Sequence, residues 1–494
     1  MKRLLRTWFL LAVVILATGP VWAQQKRPLS FDDLMAIDRI SEPMVSPDGL
    51  WVAYTVTKAD VAANRLTRNI WIVSTNGTSE PRQITRGGSD GRPRWSPNSK
   101  RLAFVSGRTG TEQIYLLSLN GGEGDPLTTL STGAGNEQWS PDGQWIAFTS
   151  AVYPDCHDDA CNRQRDEAQE KNPVKARIYD HLLFRHWTHW SDGKRSHLFV
   201  IAASGGAPRD LTPGADYDVP PDERGDAADI AFSPDSKELC FTAITDRPEA
   251  TTTNGDLFTV SLTGGEPRRI TTNPGFDGHP IYSSDGRSIA YHAQLVAGYE
   301  SDRWRLMLYD RTTQKTTNLT ENFDRSVQEP LWSPDGRRIY FVAEDQAEQP
   351  IYAIDIAAGG MPHPITPASY NSELSVSADG NTLAFTRSSV IAPSEIFIAH
   401  PDGAHATQLT NHNAGLLSKV EMNPPESFWF EGANGARVEG FLIRPPRTLS
   451  RQERAHIDDD AIGEEQNAGT FLDSASETNK RPANFFVSSK RNYE

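Results

Sequence analysis

Four stretches of this sequence hold residue types that can do chemistry. The first, Gly87-Gly88-Ser89-Asp90-Gly91, matches the Gly-x-Ser-x-Gly pattern that presents a serine nucleophile. That pattern works only where a strand feeds a sharp turn that opens a helix, exposing the serine beside amides that stabilise an oxyanion. Here Pro93 and then "RWSPNS" follow, so no helix can start and the stretch reads as a connection. No catalytic residue is assigned. The second stretch is "CHDDAC", with His157, Asp158 and Asp159 between Cys156 and Cys161. A bridge within one loop, free thiols and a metal pair are the readings. The bridge is favoured, because a four-ligand zinc site draws a second pair from elsewhere and none is visible. The third stretch carries Asp166, Glu167 and Glu170 at helical spacing, around Arg163 to Lys171. Such carboxylates can hold an ammonium group, but a solvated helix face is the favoured reading. The fourth packs Phe184, Arg185, His186, Trp187, His189 and Trp190 into seven residues. It suits a contact surface and a satellite core equally well.

The elements that must position these groups come from a repeat. Ser-Pro-Asp-Gly or a close variant starts at Ser46, Ser96, Ser140, Ser233, Ser283, Ser333 and Ser377, at intervals of 50, 44, 93, 50, 50 and 44 residues. Proline presets φ, aspartate or serine bonds nearby amides, and glycine accepts positive φ, so the motif is a tight strand connection. An apolar residue precedes the turn (Trp95, Trp139, Phe232, Tyr282, Trp332), and a period-two strand such as "RLAFVS" follows. A second strand comes next ("NIWIVS", "DLFTVSL"), and the unit closes on a polar strand ending in Leu-Thr or Ile-Thr. Four strands in some 45 residues, seven times, predict an all-β fold: a seven-bladed β-propeller over 45–417. The long interval holds an insertion in the third blade, 151–196. Cys240, in "ELCFTA", alternates like a strand residue and reads as a small core hydrophobe.

Composition excludes several functions. With 494 residues, 37% hydrophobic and 23% charged, the chain can build a sizeable core. A formal net charge of −15 argues against nucleic acid, which needs a basic face. The repeats offer no metal ligands at helpful spacing, so neither a metal nor a cofactor is expected. Residues 1–23 read as a signal peptide: Lys2, Arg3 and Arg6, then the apolar Trp8 to Ala17, then Val21-Trp22-Ala23 before cleavage. The expected location is periplasmic or secreted, with no membrane attachment after cleavage. Residues 24–44 form a short N-terminal segment. Beyond the last repeat, Ser427 to Glu431 and Ala436 to Arg444 flank Asn434-Gly435, a strong hairpin signal.

The short segment "LSFDDLMAIDRISEPMVSPDG", the seven turns and "ARVEGFLIRPP" resemble the prolyl oligopeptidase family of serine peptidases. The insertion, with "VYPDC", "VKARIYDHLLFRHW" and "DGKRSHLFV", resembles the secreted bacterial dipeptidyl peptidases of type five and the acylaminoacyl peptidases. The resemblance implies a propeller capping an α/β-hydrolase domain, of which 418–446 would be only the first hairpin. It implies peptides as ligands; it does not itself assign roles, and by residue type Glu167 and Glu170 are the candidates to hold a peptide amine and Arg185 and Trp187 to shape the mouth. The sequence then departs from the family. Residues 447–494 are polar, read as disordered or out of frame, and show no serine elbow, aspartate or histidine at family positions. The expectation is a substrate-gating propeller, truncated before its triad and inactive alone, with an apolar face prone to self-association. The alternative is a periplasmic binding scaffold of the translocation-protein type.

Overall fold

The computed structural model describes residues 26–446, except 181, 187, 223, 224 and 358, together with the strand Phe486–Ser488. The signal-peptide reading, and the tail reading outside that strand, concern residues outside the described ones.

Seven four-stranded antiparallel sheets lie among the described residues, each made of consecutive strands except in blade 3, where the small ribbon Arg185–His186 with His189–Trp190 intervenes. They form a seven-bladed β-propeller. Blade 1 starts at Arg39, because Arg39–Val45 pairs with Trp51–Asp60 across the first turn. The propeller therefore takes in residues before 45, and its compact unit runs from Asp38 to Asn411 with a break at 390–392. The first strands touch between blades 1 and 2, 2 and 3, 4 and 5, 5 and 6, and 6 and 7, and blade 7 meets blade 1. No strand is shared at that closure. It is held by side chains and by bonds that include Val45 N–H to Ser375 Oγ (3.1 Å) and Ala378 N–H to Pro47 O (3.0 Å).

The repeated letters each have a mechanical task. In Trp139–Gly143 the Ser140 hydroxyl donates to Asp142 (2.5 Å), while Asp142 accepts the Gln144 N–H (2.9 Å). Ser140 Oγ accepts the Trp145 N–H (2.9 Å), and Gly143 sits at φ +70°. Every aspartate or asparagine of the series bonds the same way, so these side chains serve the turn. The tryptophan before the turn reaches back one blade. Trp95, Trp139 and Trp332 donate Nε1–H to the carbonyls of Met44 (2.8 Å), Arg94 (3.0 Å) and Ile281 (3.1 Å). The closing threonine compensates for a short outer strand. In all seven blades its Oγ1 accepts a backbone N–H that the truncated ladder leaves open.

Hydrophobic residues alternate on both faces of the middle strands and meet between blades. Phe232, Leu239 and Phe258 of blade 4 pack with Leu198 and Val200 of blade 3. Similar clusters fill the other six junctions. Cys240 is fully buried in the cluster between blades 4 and 5.

A second unit is built separately. Ser30 caps the helix Phe31–Ala36 in a reciprocal capping box with Asp33. Arg27–Pro28 pairs in parallel with Val420–Glu421. Glu426–Glu431 and Arg437–Leu442 form the hairpin, with Asn434 and Gly435 at φ +59° and +77°. The strand Phe486–Ser488 lies antiparallel to its second strand. No described helix is long and apolar enough to cross a membrane.

Replacing Trp332 by Phe removes the bond to the Ile281 carbonyl and part of a buried ring. The expected cost is about 1–2 kcal/mol, read as a lower urea midpoint at unchanged slope. An unchanged midpoint would show that the inter-blade bond contributes nothing.

Candidate functional site

Each inner strand except that of blade 4 carries a β-bulge, where two residues face one on the next strand. The bulge residues are Glu42, Arg92, Asn136, His279, Glu329 and Glu373, all in left-handed backbone with φ between +49° and +59°. Blade 4 substitutes a 3-10 turn, Ala227–Asp229, which ends on Asp229. All seven residues stand four positions before the turn serine of their repeat. The propeller's symmetry thus gathers seven mostly charged side chains on its inner strands.

A bulge leaves a backbone N–H outside the ladder, and at four of the six bulges the preceding blade satisfies it. Glu42 accepts the Arg92 N–H (2.9 Å), Asp229 accepts the His279 N–H (2.9 Å), and Glu329 accepts the Glu373 N–H. Glu373 in turn accepts the Glu42 N–H, across the closure between blades 7 and 1. A threonine nine positions after the turn serine steadies two of these carboxylates: Thr55 donates to Glu42 (2.8 Å) and Thr242 to Asp229 (2.7 Å).

The site is acidic and partly starved of solvent. Burial raises the Glu373 carboxyl to about 7, with the Glu329 and Glu42 charges adding to the rise. Glu137, next to Asn136, is fully buried, and neither of its oxygens accepts a hydrogen bond among the described residues. Its nearest cation is Arg92 at 3.7 Å, and burial raises it to about 7 as well. Burial lowers the Arg94 guanidinium, helped by repulsion from Arg92. Across the ring, His279 Nε2 lies 3.3 Å from Asp226 and 3.8 Å from Asp229. Burial opposes a charge on His279, yet those two carboxylates outweigh it and raise its pKa.

The residues singled out in the sequence lie elsewhere, in the segment between Trp145–Val152 and Arg195–Ala202 of blade 3. Cys156 and Cys161 are joined by a disulfide. Asp158 caps a helix, Asp159–Lys171, that begins inside the disulfide loop. Ser131 donates twice to Asp159 (2.7 Å each), tying the helix to a loop of the ring. Asp166 does hold an ammonium group, that of Lys194 (2.8 Å), and accepts the Tyr153 hydroxyl (3.0 Å). Glu167 is exposed and paired with Lys171 (3.0 Å); Glu170 is exposed, and its carbonyl accepts Lys175 Nζ. Arg185 lies over the Trp190 ring at 5.5 Å, and Trp190 stacks with Tyr179 and Phe184. The aromatic cluster therefore packs on itself while keeping Phe184 and Trp190 partly exposed. Trp187 lies outside the described residues. Among the described residues, Glu167 and Glu170 lie on the helix Asp159–Lys171 and Arg185 on the separate short strand Arg185–His186. Ser89 enters an inner strand, Asp90–Trp95, rather than a helix, so the Gly-x-Ser-x-Gly match has no elbow.

Comparison with known proteins fits this architecture. The family model described as TolB β-propeller domain matches residues 36–162. Dipeptidyl-peptidase 5 of Porphyromonas gingivalis is 29% identical over 419 residues, covering 83% of this chain and 60% of that protein. Acylaminoacyl peptidase of Pyrococcus horikoshii superposes with a TM-score of 0.66 at 16% identity, over 85% of this chain and 60% of that one. The β-propeller domain of the trilobed protease of Pyrococcus furiosus, with an open velcro topology, gives 0.53 at 14% identity, over 76% of this chain and 96% of that one. The chain spans about 60% of the length of the dipeptidyl peptidase it matches.

Raised carboxyl pKa values set the direction of a pH effect. A group that binds its proton more tightly in the folded state stabilises the fold when protonated, and that benefit is lost as pH rises through the folded pKa. For Glu137 the window runs from its ordinary value of 4.5 to about 7. Glu137→Gln is therefore expected to gain about 1–3 kcal/mol of stability at pH 8 and almost none at pH 4.5. Urea midpoints at both pH values check this, and an equal effect at both would refute the assignment.

Proposed function

Starting from a peptidase-associated propeller of the prolyl oligopeptidase type, we propose that this chain is the substrate-selecting part of a secreted serine exopeptidase. The cleavage chemistry belongs to a hydrolase domain, of which the hairpin Glu426–Leu442 is the start. No serine, histidine and aspartate triad can be assigned among the described residues. Phe428, Trp429 and Phe430 stand partly exposed on that hairpin, as suits a strand awaiting a partner. The signal-peptide reading supports a periplasmic or secreted location.

The observation that carries the proposal is the acidic set at one repeat position of the first strands: Glu42, Asp229, Glu329 and Glu373 against Arg92 and His279. A negative concavity with low-dielectric walls concentrates cations. Every oligopeptide with a free N-terminus carries one. The reading thus favours dipeptidyl release from free amino termini over removal of acylated residues. A second reading, a non-enzymatic scaffold, draws support from the TolB-type family match.

Binding of fluorescent oligopeptides to the 494-residue chain tests the proposal by anisotropy. Free-amine peptides are expected to bind at least several-fold tighter than N-acetylated ones, with the difference shrinking in Glu373→Gln and at high salt. Equal binding overturns the selection role. The chain alone is expected to leave chromogenic dipeptide substrates intact and to escape labelling by a serine-directed phosphonate; turnover refutes this. Stoichiometric capture of one periplasmic protein, without peptide binding, would favour the scaffold.

A further inference from the structure

Blade 4 departs from its neighbours at the inner edge. Its first strand, Ile230–Phe232, has three residues, against five to seven in the other blades. In place of the bulge stands the 3-10 turn, which places Asp226 and Asp229 together. Asp229 occupies the inner repeat position of blade 4, and His279 occupies the same position in blade 5.

We propose that Asp226, Asp229 and His279 form a binding site for a divalent transition-metal ion that clamps blade 4 to blade 5. One ligand atom from each residue lies within 4.8 Å of the other two. The His279 Nε2 to Asp226 Oδ1 distance of 3.3 Å equals the edge, about 3.3 Å, of a tetrahedron with zinc bonds near 2.0–2.1 Å. Asp229 Oδ2, at 3.8 Å from Nε2, needs a shift of about half an ångström to reach that geometry. Two carboxylates and one imidazole are a donor set suited to Zn²⁺ or Mn²⁺, with a fourth position left for water.

The surroundings hold these donors in place. Asp229 is fully buried and fixed by the Thr242 hydroxyl (2.7 Å) and by the N–H groups of His279 (2.9 Å) and Asp226 (2.9 Å). Asp226 Oδ1 accepts the Ala228 N–H (2.7 Å). Ligating carboxylates anchored by outer hydrogen bonds are the usual arrangement around a metal. The His279 ring stacks on His292 (centroids 4.1 Å apart), which stacks in turn on Trp304 (4.2 Å). His292 is more than nine-tenths buried, and its Nδ1 has no hydrogen-bond partner among the described residues, nor has that of His279. Gly278 leaves no room for a side chain beside these donors: a Cβ there would lie 2.8 Å from Asp229 Oδ1. An ion would neutralise two carboxylates that otherwise share one imidazole, and would replace the missing ladder of the short strand.

The test is titration of the chelator-stripped full chain with Zn²⁺ by calorimetry, and with Co²⁺ by visible absorption. One ion per chain is expected, with a dissociation constant in the micromolar range or tighter. Asp226→Asn, on an exposed side chain, should weaken binding at least tenfold without changing the circular dichroism. His279→Gln should remove the Co²⁺ absorption bands. His400→Ala and His405→Ala, at an exposed histidine pair, should leave binding unchanged. The proposal is overturned if no ion binds above background, leaving only an ion pair. It is equally overturned if binding survives Asp226→Asn and His279→Gln or is lost in the His400 and His405 variants.

Discussion

A backbone N–H displaced from its ladder is the constraint on which this molecule turns. The bulge that bends the inner strand in every blade but the fourth creates one such group, and leaving it buried and unbonded costs about 1–3 kcal/mol. The neighbouring blade answers with a carboxylate: Glu42 for Arg92, Asp229 for His279, Glu329 for Glu373, and Glu373 for Glu42 across the closure. Left-handed backbone at non-glycine residues costs on the order of 1 kcal/mol each, and here it is offset by these bonds between sheets. Because blade 7 and blade 1 share no strand, the last of these bonds helps to close the ring.

The same arrangement makes the inner face electrically distinctive. Carboxylates chosen to satisfy amides bring negative charge into a confined, poorly solvated space, and some resist ionisation for that reason. Burial raises Glu373 to about 7, and raises to about 7 also Glu137, which accepts no hydrogen bond among the described residues. The carboxylates that carry this charge are thus the same groups that bond one blade to the next, so a substitution on this face changes the closure of the ring and its charge together.

What was legible in the sequence was whatever repeats by identity. The turn letters, the tryptophan before them and the threonine that ends each unit are local devices, and their spacing alone led to seven blades. The Asn434-Gly435 hairpin was legible for the same reason. The inner ring was not, although its position recurs in every copy. It is occupied by Glu, Arg, Asn, Asp, His, Glu and Glu, so what repeats there is a backbone shape, and the letters differ. Asp229 and His279 are 50 residues apart and meet only through the rotation from one blade to the next. The carboxylates of the insertion drew notice instead because they are neighbours in sequence, and Asp166 proves to be engaged with Lys194.

The insertion leaves the ring by one strand and re-enters by the next, and Trp145–Val152 and Arg195–Ala202 remain paired along eight residues between those points. The entropic penalty of closing a connection grows only with the logarithm of its length. A disulfide and a capped helix then give the excursion an order of its own. The third blade thus works as a socket: evolution can lengthen, shorten or exchange what is mounted there while the surrounding sheets keep their register.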